Sequence, residues 1–87
     1  MSQMRMLHET KDYIEASRVS YWKVVSMRKE QAVELMTKAI NDMNTERAVE
    51  AGVPEPEIQQ MVWSATPELN RVNGMLFDVL YENGYIN

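Results

Sequence analysis

Residues 22–51, WKVVSMRKEQAVELMTKAINDMNTERAVEA, decide the fold, because thirty residues pass without a glycine or a proline. Apolar side chains recur along them in alternating steps of three and four: Trp22, Val25, Ala32/Val33, Met36, Ala39/Ile40 and Met43, with Lys29 interrupting the series. That spacing keeps one stripe on one side of an α-helix and predicts a long amphipathic helix over 22–51. The opposite side carries Glu34, Lys38 and Asp42, with Glu34 and Lys38 at the favourable i,i+4 separation. Gly52 followed by Pro54 stops the helix.

Upstream, Met4, Leu7, Lys11, Ile14 and Arg18 form a weaker stripe with charges intruding. Thr10–Val19 is either a separate helix or an extension of the long one. The break is expected within Val19–Ser26, where β-branched valines and serines lower helix propensity. A strand there would have no second strand to pair with, so helix or kink is retained.

Downstream, all three prolines and all three glycines fall between Gly52 and Gly84. Pro56, with Glu55 and Glu57, suits a first helical turn, and Ile58, Met61, Val62 and Ala65 give a short helix 56–64 one apolar face. Thr66-Pro67-Glu68 reads as a restart, with Thr66 as N-cap and Pro67 in the first turn. Leu69, Val72, Leu76, Val79 and Leu80 then form the stripe of a helix 67–82, which Asn83-Gly84 ends. The expected architecture is all-α, one domain over 1–87. Three to four helices are expected, the long one, straight or kinked, packed antiparallel on the C-terminal helix.

A thirty-residue helix is about 45 Å long. A compact chain of this length has a radius of gyration near 12 Å, hence a diameter of about 30 Å. Either the helix bends or a second copy covers its projecting stripe, so a homo-oligomeric bundle is expected, with Val25, Val33, Met36, Ile40 and Met43 at the interface. Eight methionines suit an adaptable surface, although core filling explains any one of them as well.

Composition narrows function by exclusion. The chain has no cysteine, which removes disulfides and thiolate metal sites and fits a reducing compartment. No apolar run exceeds three residues, so neither a secretory leader nor a membrane span is read, and a soluble cytoplasmic protein is expected. The only histidine, His8, shares a helix face with Asp12 and Glu15, too small a set for a metal site, and no metal or cofactor is expected. No nucleophile–base pairing and no glycine-rich phosphate loop occurs, so the expected function is not enzymatic.

The net charge of −4 is unevenly spread. Residues 18–29 carry Arg18, Lys23, Arg28 and Lys29 with no acid, whereas residues 30–87 carry three bases against ten acids. The overall sign argues against duplex nucleic acid as a partner. Around the basic island stand Tyr13, Tyr21 and Trp22, and cations beside aromatic rings suit a small anion or a nucleotide. The competing explanation is structural: Trp22 and Val25 in the core, with the cations bonded to acids of residues 30–87 or of a neighbouring subunit. The acidic remainder is either solubility charge or a nucleic-acid mimic. Tyr81, Tyr85 and Ile86 either dock on a partner or pack back on the last helix. The leading expectation is an interaction or sequestration protein of the regulatory or inhibitor type, acting on a protein partner. The alternative is a small-anion or nucleotide binder, for a cyclic nucleotide for instance, built at a subunit interface from Tyr13, Arg18, Tyr21, Trp22, Lys23, Arg28 and Lys29.

Overall fold

The computed structural model describes residues 12–82, and every regular element among them is helical. His8, the stripe residues Met4, Leu7 and Lys11, and the tail residues Tyr85 and Ile86 lie outside the described residues. Residues 12–16 are helical, followed by α1 (Tyr21–Val25), α2 (Lys29–Glu50) and α3 (Glu55–Glu82).

The helix expected over 22–51 is two elements. Ser26 separates them: its hydroxyl donates to the Lys23 carbonyl at 2.9 Å, and its own N–H turns to the same oxygen at 3.3 Å. A serine that satisfies local backbone groups competes with helix propagation. Arg28 then adopts an extended conformation, and α2 starts at Lys29. Ser17 acts likewise one element earlier, donating to the Tyr13 carbonyl at 3.0 Å. Arg18 follows with φ of +66°, the left-handed conformation that ends a helix and that glycine adopts most readily. The expected weak segment is thus bounded by a serine-centred break on each side.

α2 ends in a Schellman motif. The N–H of Gly52 bonds the Val49 carbonyl and that of Val53 the Ala48 carbonyl, both at 3.0 Å, with Gly52 at φ of +80°. Here the sequence signal and the structure agree.

The second correction concerns α3. Helices expected at 56–64 and 67–82 are one continuous helix through Pro67. Thr66 does not cap; its hydroxyl donates back to the Val62 carbonyl at 2.7 Å and accepts from Asn41 of α2 at 3.1 Å. Proline removes one backbone donor, the one directed at the Trp63 carbonyl, on the side of α3 that faces solvent. Burial of Ile58 on one side of that point and of Asn73, Phe77 and Leu80 on the other holds both halves in line against α2.

α2 and α3 run antiparallel, as three cross-links show: Lys29 with Asp78, Thr37 with Asn70, and Asn41 with Thr66. The molecule measures 43 × 22 × 20 Å, with a radius of gyration of 14.1 Å. Its long dimension matches the roughly 42 Å of a 28-residue helix. The length of the helices is accommodated by an elongated chain and does not by itself call for a second copy.

The core sits at the open end of the hairpin. Ile14, Val19, Tyr21 and Val24 from the N-terminal segment pack with Ala32 and Met36 of α2 and with Phe77 and Leu80 of α3. Of the stripe expected on α3, Leu80 is buried, while Leu69, Val72, Leu76 and Val79 are half-buried. The buried line runs instead through Asn73 and Phe77.

Candidate interaction surface

The basic island does not assemble into one open site. Tyr21 is buried in the core, its ring edge-on to that of Trp22 at 5.3 Å and 77°. Tyr13 points inward, donating its hydroxyl to Asn73 Oδ1 at 3.1 Å, and burial raises its pKa above the usual tyrosine value. Arg18 bonds Glu46 at 2.7 Å and Lys29 bonds Asp78 at 2.9 Å, both with acids of α2 or α3. Trp22, expected in the core beside Val25 on the structural explanation, is instead 70% exposed, and Lys23 and Arg28 are exposed and without an ion pair among the described residues. The residues expected at an interface divide too. Met36 and Ile40 are already buried within the chain, which removes them from any surface, while Val25, Val33 and Met43 are half-buried.

A sizeable concavity lies elsewhere, along the seam between α2 and α3. A central hollow of about 1030 Å³ is joined by shared residues to one of about 600 Å³ toward the α2–α3 loop and one of about 510 Å³ toward the open end. Val62 and Thr66 belong to the first junction; Lys29, Glu30 and Asp78 belong to the second. Together they make one groove along the length of the hairpin. No residue of 12–28 lines its central part.

A row of polar side chains runs along its floor among Val33, Val62 and Met75, and the reason lies in residue spacing. Thr66, Asn70 and Asn73 follow steps of four and three on α3, and Thr37 and Asn41 a step of four on α2, so both sets face the seam. Tyr13 donates to Asn73, Asn73 Nδ2 to Thr37 Oγ1 at 3.0 Å, and Thr37 Oγ1 to Asn70 Oδ1 at 2.8 Å. In this chain each donor finds an acceptor, although Asn73 and Thr37 are buried. Asn41 donates to Thr66, yet its Oδ1 is buried without a partner in the structure.

The walls mix signs. Lys29, Lys38 and Arg71 stand among Glu30, Glu34, Asp42 and Asp78, which gives the groove no single-signed field. Trp63, 74% exposed, lines the loop-end hollow, and Tyr81, 62% exposed, lines the open-end hollow. Eighteen residues separate them, which is five helical turns, so both rings leave the same side of α3 about 27 Å apart.

Apolar periodicity does not disclose this arrangement, since it passes over Thr37, Asn41, Asn70 and Asn73, and Thr66 by itself reads as a cap. The detectable signal was their seam spacing at 66, 70 and 73 opposite 37 and 41. Among the described residues, no helix is long and apolar enough to cross a membrane, and no three metal-binding side chains gather. No known protein family matches the chain, and no characterised protein or solved structure is similar to it.

Proposed function

We propose that this chain is a non-enzymatic interaction protein that receives an amphipathic helix of a protein partner in the α2–α3 groove. The observation that carries this reading is the continuous groove with an exposed aromatic ring at each end. Exposed tryptophan and tyrosine are the side chains that most often anchor protein interfaces, since each covers a large area at little entropic cost. Val33, Val62 and Met75 give the groove apolar surface, and the charges of both signs around them favour a folded helix with apolar anchors and mixed flanking charges over a uniformly charged ligand.

The test compares two variants of the full chain as bait. Trp63→Ala removes the loop-end anchor, whereas Lys23→Ala with Arg28→Ala removes the unpaired cations. A partner captured by the native chain should be lost with the first and kept with the second. Loss of a dominant anchor corresponds to an affinity drop of roughly thirtyfold or more. Retention with Trp63→Ala would overturn the groove reading.

A second reading has one observation in its favour. Ser26, Arg28 and Tyr81 line the open-end hollow, whose 510 Å³ falls within the range of small-ligand sites. A small anion held there, a nucleotide for instance, would raise stability by about 2.7 kcal/mol at a hundredfold excess over its Kd. Thermal melts with mono-, di- and cyclic nucleotides measure this, and unchanged melting with all of them would remove the reading.

A further inference from the structure

We infer that the groove's α3 wall takes a second copy of this chain, with the two α3 helices antiparallel about a twofold axis between Gly74 and Met75. The inference rests on the groove being a protein-binding face and names its occupant. The argument is charge and shape complementarity of α3 with itself. Arg71 and Asp78 are seven residues apart, two helical turns, and therefore share a side. They carry opposite charges at equal distances from the midpoint of Gly74 and Met75. An antiparallel copy centred there sets each Arg71 against Asp78 of the other copy, twice over, as a twofold axis requires. A parallel copy in register would set Arg71 against Arg71 and Asp78 against Asp78.

Shape follows the same centre. Met75 projects into solvent, 57% exposed. A side chain built at Gly74 would meet only the flexible end of Lys29, at 3.7 Å, so the backbone there is open to close approach. In the antiparallel arrangement each Met75 covers Gly74 of the other copy, a flexible thioether over a residue without a side chain. Both charged groups have capacity left. Arg71 uses Nε and one terminal nitrogen on Glu68 and the other on Met75 Sδ, which leaves two of its N–H groups. Asp78 bonds Lys29 alone among the described residues, and a carboxylate accepts several donors.

Sedimentation equilibrium of the full chain should show a reversible dimer of the 10.1 kDa protomer. Arg71→Asp should raise the dimer Kd by roughly a hundredfold, because it sets acid against acid at both symmetry-related contacts. Combining Arg71→Asp with Asp78→Arg restores opposite charges and should restore the dimer. Since the chain has no cysteine, Met75→Cys should give a disulfide-linked dimer on mild oxidation, whereas Trp63→Cys, far from the axis, should not. The cross-link decides the question even if Arg71→Asp fails to fold. A monomer at all concentrations, a dimer indifferent to Arg71→Asp, a double variant that stays monomeric, or equal cross-linking from positions 63 and 75 overturns the inference. If the chain is monomeric but still loses a captured protein with Trp63→Ala, the second copy falls and the groove reading stands. If capture is also indifferent to Trp63→Ala, both fall.

Discussion

The two ends of the α2–α3 hairpin are built differently. At the open end, three layers meet: the N-terminal segment contributes Ile14, Val19, Tyr21 and Val24 to a core closed by Met36, Phe77 and Leu80. At the loop end only two helices meet. Buried apolar residues there reduce to Ala48 and Ile58, while Val49, Met61 and Trp63 face outward. Burial of apolar area is the main stabilising term, so the open end holds the molecule together. The loop end is a two-helix extension whose seam is bridged by Asn41 and Thr66 and whose Trp63 ring stands in solvent.

Removing one buried side chain at each end should separate the two ends most strongly. Leu80→Ala, within the three-layer core, should destabilise the protein by about 3–5 kcal/mol. Ile58→Ala should cost about 2 kcal/mol, because two layers leave more room for the cavity to collapse. Denaturant unfolding measures both, and amide exchange locates them: Leu80→Ala should raise exchange throughout, Ile58→Ala chiefly near the loop. Equal costs with equal spread would mean that the hairpin is uniform.

A smaller contrast lies in the seam. Asn73 takes a bond from Tyr13 and gives one to Thr37, and it is fully buried. Asn73→Ala strands both neighbours and should cost about 1–3 kcal/mol. Asn41 already carries an unpartnered buried oxygen, so Asn41→Ala loses the bond to Thr66 but also removes that burden. Its cost should stay below about 1 kcal/mol. Chemical melts of the two variants check the order, and a larger loss at Asn41 would reverse the assignment of strong and weak ends.

How much of this the sequence disclosed depends on which interactions are local. The helical class, the Gly52 terminus and the antiparallel return followed from periodicity and turn chemistry within a few residues. Serine competition near 19–26 was visible as a weakness, but its resolution into two breaks depends on Val19, Tyr21 and Val24 reaching the core together. Pro67 misled for the same reason. Thr-Pro-Glu is a sound start signal by itself, and only burial against α2 on both sides of it keeps the helix running. The groove was least legible, because its polar floor exists only once Thr37 and Asn41 face Asn70 and Thr66. Arg18 and Lys29 belong by sequence to a cationic island suited to a ligand, but their partners Glu46 and Asp78 lie 28 and 49 residues away.

The finest contrast sets the two left-handed residues among the described ones against each other, since they terminate helices at opposite ends. Gly52 ends α2 at the loop; a Cβ there meets nothing within 4 Å, so any penalty for Gly52→Ala is backbone strain alone. That penalty should be about 1 kcal/mol. Arg18 holds the same conformation beside the core with a side chain that favours it less. Arg18→Gly relieves about 1 kcal/mol of strain, loses an exposed ion pair to Glu46 worth about 0–1 kcal/mol, and loosens the unfolded chain. The net change in the native background should lie within about 0.5 kcal/mol of zero. With Glu46→Gln already present there is no ion pair to lose, and Arg18→Gly should turn stabilising by a few tenths of a kcal/mol or more. A destabilisation that persists in the Glu46→Gln background would mean that the Arg18 chain itself supports the N-terminal layer. The open end would then depend on its surface as well as on its core.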